Sequence, residues 1–484
     1  MPTSADYIRV LPEIVLAVWG TLVMLVEPFL AAGRSRKGLG VFAALGAVAA
    51  IAATVYQAQP QFAGFGFHEM LRVDHFSIFF HLIVLMVALA TILMSLDYLP
   101  YQKIDHGEYY ALILLGSVGT CLMSSAVELV LIFIALEISS ISSYILAGFR
   151  RHAAESAESS LKYFLLGSFA TAFFLYGVAL LYGATGSTNV FVIAERLNGA
   201  IHIEPLAYVA VALIFTGLGF KVACAPFHIW TPDVYEGAPS PVVAFMSTAP
   251  KAAAFAVLIR LVIDTASPHW FWVIWVAAVL SMCVGNLGAI LQSNVKRMLA
   301  YSSIAHAGYL MVAFASASNR QLGISAAMFY SAAYAAMNVG AFAIVTQMAG
   351  SGERFSQIDD YSGLGKRSPV LAAALTFFLL SLIGIPITGG FFAKFYVFSA
   401  ALRTQLIWLT IIGVANSGMG SYYYLRLIVR MYMYEPRTTA PVPRMRLGMG
   451  LAIALSLIMT LWLGVLPNAI LHYTQGAPTI LASH

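Results

Sequence analysis

The apolar residues of this chain recur in about fourteen stretches of roughly 18–30, joined by short polar loops. At 1.5 Å per residue, about 20 residues in a helix cover the ~30 Å hydrocarbon core of a bilayer. The expected fold class is therefore all-α: a polytopic membrane protein of about fourteen transmembrane helices. Residues 1–484 read as a single membrane domain. Composition agrees, with 60% hydrophobic residues, 10% charged residues and a mean hydropathy of +0.84. Ordinary soluble domains are about 25% charged. The longest loops, at 57–74, 184–204 and 350–367, leave no room for a folded extramembrane domain.

Topology follows from the basic residues. Arg34, Arg36, Lys37, Lys103, Arg150, Arg151, Lys296, Arg297, Arg354, Lys366, Arg367, Arg437, Arg444 and Arg446 fall in alternate loops. The other side holds Arg9, Arg72, Arg196, Arg320 and Arg403. Lys and Arg are retained on the cytoplasmic side, so both termini are expected on the outer side, as an even number of spans requires. The net charge of +5 is then a matter of topology and needs no nucleic acid. The first apolar stretch is too long for a removable signal peptide, with only Arg9 ahead of it.

Cofactor chemistry finds no equipment. Cys121, Cys224 and Cys283 are far apart and form no CxxC, which argues against iron–sulfur ligation and disulfides. Neither dinucleotide-binding nor P-loop glycine patterns occur. No HExxH or similar ligand spacing suggests a metal site.

Four ionisable residues lie inside the apolar runs: Glu137, Lys221, Lys251 and Lys394. A charge at bilayer depth costs about 2.5–3.5 kcal/mol on insertion scales, and such residues mark ion or proton pathways. The plainer reading is a set of static ion pairs holding the bundle together. Lys251 sits eleven residues from the inner end of the eighth span, too deep for easy snorkelling. Lys394 is nearer the outer end of the twelfth span and could snorkel. His306 is intramembrane and titrates near neutral pH, and equally suits a relay or a packing role. Lys162 opens the sixth span as an interfacial anchor or part of an uptake route. His228 and Asp233 fall near the inner surface, and Arg426 and Arg430 read as anchors. Tyr422, Tyr423 and Tyr424 read as packing. Glu13 and Glu27 lack a visible partner.

Two spans are interrupted alike, at Lys221-Val222-Ala223-Cys224-Ala225-Pro226 and at Gly384-Ile385-Pro386-Ile387-Thr388-Gly389-Gly390. Proline removes a helical donor, and the freed carbonyls must be met by protein or water. Paired broken helices in two halves suggest an inverted-repeat transporter with its ion path at the breaks. Residues 108–262 and 270–434 would be the two five-helix repeats, broken in helices 7 and 12.

These segments resemble the antiporter-like membrane subunits of proton-pumping NADH:quinone oxidoreductase, respiratory complex I. The resemblance rests on Leu136-Glu137, SLKYFLLG at 160–167, GFKVACAPFHIWTPDVYEGAPSPVVAF at 219–245, NVKRMLAYSSIAHAGY at 294–309 and GIPITGGFFAKF at 384–395. Lysines at 251 and 394, and the loop DVYEGAPSPV, set the chain apart from the L and M types and from the related multisubunit cation/proton antiporters. The resemblance implies that Glu137 and Lys221 form a modulated ion pair. It further implies that Lys251 is the central relay and Lys394 the distal site, with His306 a further link. It places the chain in a bacterial inner membrane among the other membrane and peripheral subunits. FMN, iron–sulfur clusters and quinone would belong to the parent complex, with none on this chain. The alternative is a subunit of a multisubunit cation/proton antiporter.

Overall fold

The computed structural model describes residues 3–31, 33–199, 205–264, 269–316, 320–437 and 444–481. The chain opens with α1 (Ser4–Arg9), α2 (Leu11–Val26), α3 (Lys37–Gln57) and α4 (His75–Tyr101). A second group follows: α5 (Glu108–Ser125), α6 (Leu129–Ala147), α7 (Ala154–Thr185), α8 (Val190–Gly199), α9 (Pro205–Val222), α10 (Trp230–Gly237), α11 (Ser240–Met246) and α12 (Ala249–Asp264). The third comprises α13 (His269–Ile290), α14 (Val295–Ala315), α15 (Arg320–Met348), α16 (Leu364–Arg367), α17 (Pro369–Ile383), α18 (Gly389–Arg403) and α19 (Ile407–Met433). Helices α20 (Leu447–Val465) and α21 (Pro467–Leu481) close the chain. A short hairpin of β1 (Gly64–Gly66) and β2 (Leu71–Val73) lies in the 57–74 loop.

Among the described residues, eleven helical segments are long and apolar enough to cross a membrane. Chain direction requires three more crossings, by α5, by the pair α17–α18 and by α19. The all-α, fourteen-span reading holds. One face of the bundle carries α1 and the other carries the basic loops; these are called the N-terminal and the basic face below.

Local sequence sets the ends of the key helices. Asp74 caps α4, accepting from the Ser77 backbone N–H at 2.8 Å while the Ser77 hydroxyl meets the Asp74 backbone N–H. Asn294 caps α14 through the N–H groups of Lys296 and Arg297. Gly384, at φ +93°, ends α17 where a side chain would be strained. Both expected breaks are present, between α9 and α10 and between α17 and α18. A third was not foreseen: the eighth span divides at Ser247-Thr248, just ahead of Pro250 and Lys251. Proline at position 250 cannot donate to the preceding turn.

The segments Ser240–Val262, Val295–Ala315 and Leu322–Met348 are almost entirely wrapped by other helices, whereas the first crossing is largely open on its outer side. Helix association in lipid relies on close contact, which small residues allow. A Cβ on Gly308 would lie 2.7 Å from the Met282 backbone nitrogen. That closeness seats α14, with His306, directly against α13.

Candidate functional site

Lys221 lies in the last turn of α9, just before the break, and is 4% exposed. Its Nζ donates to Ser140 Oγ at 2.8 Å and lies 5.9 Å from the centre of the Tyr163 ring. Glu137 stands three residues before Ser140 on α6, half-buried, and its buried Oε1 has no hydrogen-bond partner among the described residues. No Glu137–Lys221 ion pair within 4 Å is formed: the lysine rests on the serine one turn along. The expected pair is thus adjacent but open in this structure.

From Lys221 a stack of aromatic rings leads inward. Tyr163 lies face to face with Trp230 at 4.4 Å, and Trp230 meets Tyr235 edge-on at 6.1 Å. The Trp230 indole N–H donates to Phe220 O, a carbonyl that the break in the seventh span leaves available. On the far side of Tyr235 stands Lys251, its Nζ 5.9 Å from that ring. A cation this close to an aromatic face gains modest electrostatic stabilisation without a counter-charge.

Lys251 is 3% exposed and donates to Ser303 Oγ at 2.5 Å. It borders a cavity of ≈ 20 Å³ shared with Thr248, Ser303, His306, Tyr330 and Tyr334. Room of that size and polarity suits about one water molecule. His306 Nδ1 lies 2.6 Å from the Tyr330 hydroxyl and Nε2 3.3 Å from the Tyr424 hydroxyl. Tyr424 in turn bonds Ser302. His306 is therefore embedded in hydroxyls on both ring nitrogens.

Lys394 completes the series. Its Nζ donates to Ser417 Oγ at 2.8 Å and to the carbonyls of Leu382 and Ile383 at 3.0 and 2.8 Å. Those carbonyls belong to the last turn of α17, where the break frees them. Helix breakage thus builds this lysine's seat. The side chain turns inward and is 8% exposed, so it does not snorkel. Its ammonium also lies 5.0 Å from the Tyr309 ring, whose hydroxyl accepts from Asn286 at 3.1 Å. Tyr309 packs edge-on against His306 at 5.6 Å. The four sequence-predicted charges and His306 therefore lie along one line of hydroxyls and rings.

Charges nearer the basic face are arranged otherwise. Glu353 is buried with Lys296 at 2.7 Å, the Tyr98 hydroxyl at 2.6 Å, the Ser240 N–H at 2.7 Å and Arg150 at 3.5 Å. Burial pushes this carboxyl up, but the Lys296 charge and these hydrogen bonds outweigh it and hold it below the usual range. Asp233 joins Lys162 at 2.7 Å and Arg297 at 2.6 Å. Burial opposes ionisation there too, and the two cations overcome it. His228, by contrast, is drawn into none of these groups, and burial lowers its pKa. Arg426 donates to the carbonyls of Ile290 and Gln292, and Arg430 approaches Asp359 at 3.5 Å. Glu27 is held by Arg36 at 2.8 Å, whereas Glu13 stands 3.4 Å from His81 without a hydrogen bond.

Sequence reading missed several members. Ser140 and Ser303 carried no signal beyond lying in or beside the motifs, and Ser417 lies outside all of them. Tyr423 and Tyr424 are buried and hydrogen-bonded to Asn286 and Ser302, more than packing; Tyr422 faces outward.

Comparison with known proteins gives the family. Residues 126–420 match the family model described as NADH:quinone oxidoreductase/Mrp antiporter, TM. NADH-quinone oxidoreductase subunit N 2 of Koribacter versatilis is 60% identical, over 97% of this chain and 96% of that one. Subunit N 1 of Solibacter usitatus is 49% identical, over 97% and 96%. A chain of respiratory complex I from Thermus thermophilus, 36% identical, superposes with a TM-score of 0.81 over 95% of this chain and 98% of that one. A chain of the Mrp complex of a Dietzia species shares the fold, with a TM-score of 0.84 at 22% identity, covering 99% and 98%. On length, identity and fold together, the chain belongs to the family of NADH-quinone oxidoreductase subunit N, the antiporter-like membrane subunits of complex I.

Proposed function

We propose that this chain carries protons across a bacterial inner membrane, driven by electron transfer from NADH to quinone in other subunits of its complex. One observation carries the reading: Lys221, Lys251 and Lys394 are buried in mid-bundle, and none has a carboxylate within 4 Å among the described residues. Each is bonded to neutral oxygens alone. An ammonium held this way has no counter-charge to lose when its proton leaves, so the proton can move on.

Glu137 and Lys221 act as the switch. Seated on Ser140, the Lys221 ammonium is free to give up its proton toward Lys251. Drawn to the Glu137 carboxylate, it retains that proton. Lys251 is the central relay, with Ser303 and the small cavity leading to His306. Lys394 is the distal site, from which the proton leaves toward the N-terminal face. With that face outward, both termini lie on the periplasmic side, as the basic loops favour. Residues 108–262 and 270–434 form the two inverted repeats. In each, the fourth of five crossings is broken and holds a lysine. FMN, iron–sulfur clusters and quinone serve the other subunits, and the chain's enzymatic role is that of a non-redox translocase component.

Native electrophoresis of mildly solubilised membranes with a tagged copy of this chain tests the reading. Co-migration of the tag with a large NADH-oxidising band is expected. A tag in a smaller complex without that activity would favour cation/proton antiport instead.

A further inference from the structure

Where α2, α4 and α5 meet, near the N-terminal face, two titratable side chains are enclosed outside the lysine line. Glu13 is 4% exposed and His81 is fully buried. Glu13 Oε1 lies 3.4 Å from His81 Nε2, and Nε2 lies 3.0 Å from the Cys121 carbonyl oxygen. Both Glu13 oxygens and His81 Nδ1 have no hydrogen-bond partner among the described residues. His81 is the seventh residue of α4, about 9 Å along that helix from its first turn.

The donors and acceptors constrain the protonation states. A carbonyl oxygen only accepts, so in the arrangement observed Nε2 carries a hydrogen toward Cys121. A bare carboxylate beside a neutral ring would be a buried, uncompensated charge, and so would an imidazolium beside a carboxylic acid. Two uncharged arrangements remain: carboxylic acid with neutral imidazole, and carboxylate with imidazolium. They differ by the position of one proton. The other charges near the pair are Asp74, Arg260 and Arg72 at the start of α4. Asp74 is already met by Arg260 at 3.1 Å and by Arg72 at 3.4 Å. The Cys121 thiol is the remaining titratable neighbour.

We propose that Glu13 and His81 form a second proton-binding site that holds one exchangeable proton between them. In the carboxylate–imidazolium form both ring nitrogens carry hydrogen, and Nε2 lies near both Cys121 O and Glu13 Oε1. Passing the Nε2 hydrogen to Glu13 Oε1 leaves a carboxylic acid and a neutral ring protonated on Nδ1. One proton changes place and the net charge of the pair stays zero. The site lies on the opening helices, while the lysine line lies on α6 and later ones, so it stands independently of the proposed relay.

Infrared difference spectroscopy of the intact complex tests this without reference to pumping. Wild-type spectra are subtracted from those of Glu13→Gln and His81→Gln complexes, in H2O and D2O, across the pH range where carboxyls and imidazoles titrate. Expected is a protonated-carboxyl stretching band that is lost in Glu13→Gln, shifted in His81→Gln and shifted again by deuterium. Superimposable carboxyl regions at every pH would mean a permanently ionised, static pair and would overturn the proposal. Should Glu13→Gln fail to assemble, His81→Gln alone decides: a displaced band supports the site, and an unmoved spectrum removes it.

Discussion

Glu353 near the basic face and Lys251 at mid-bundle are both buried charges, yet their surroundings are opposite. Glu353 is met by the cations of Lys296 and Arg150, by the Tyr98 hydroxyl and by the backbone N–H that opens α11. Lys251 is met by one serine hydroxyl, an aromatic face and a cavity about the size of one water. Removing a proton from Glu353's surroundings would strand a charge. Removing one from Lys251 would strand none. The difference separates groups that fasten helices from groups suited to exchange protons, and both kinds lie on the same two helices. Ser240 and Lys251 share the eighth span, while Lys296, Ser303 and His306 share α14. The fastening at the basic face thereby sets the register of the proposed relay.

The sharpest way to break this contrast is at the relay. Lys221→Met is expected to lower proton pumping roughly tenfold or more, the scale of a lost acid–base group, while the complex still assembles. Vesicle acidification beside native electrophoresis reads both. Loss of assembly with normal pumping in the surviving complexes would turn the contrast around.

Glu353→Ala should do the opposite. Breaking a buried pair costs about 3–5 kcal/mol, so less complex should accumulate, with protons moved per NADH unchanged in what remains. The pH sign follows from the lowered carboxyl pKa. The stabilisation is present above the ordinary carboxylate range and is lost as pH falls through the lowered value. Thermal unfolding of wild type and Glu353→Gln should therefore differ at neutral pH and converge in acid. A constant gap would deny the linkage.

Ser303→Ala removes the Lys251 hydrogen bond, worth about 1.5–3 kcal/mol for a charged partner. Pumping should fall by a smaller factor than in Lys221→Met, and Ser303→Thr should restore it. Arg297→Ala is the mildest. Asp233 keeps Lys162, and a part-exposed pair contributes about 0–1 kcal/mol, so melting temperature and pumping should hardly move.

Much of this was legible beforehand, for physical reasons. Apolar runs, alternate basic loops and Pro- or Gly-marked breaks are local signals, and they carry the spans, the breaks and the four charges. Ser140, Ser303 and Ser417 were not legible, because a serine in a membrane helix usually bonds its own backbone. What distinguishes these three is a lysine from another helix. Glu353 lies in the 350–367 loop, where nothing in the sequence marks it as buried; its hydroxyl partner Tyr98 is 255 residues away in sequence. The Glu137–Lys221 separation was illegible for another reason, since it depends on Lys221 resting on Ser140, one turn along α6.

The most direct test is the number of protons translocated per NADH oxidised by Lys251→Met complex reconstituted in vesicles, with assembly verified on the same sample. A lowered ratio in fully assembled complex is the expected result. An unchanged ratio would mean that Lys251 only fills space, and would contradict the assignment of the mid-bundle lysines to proton transfer.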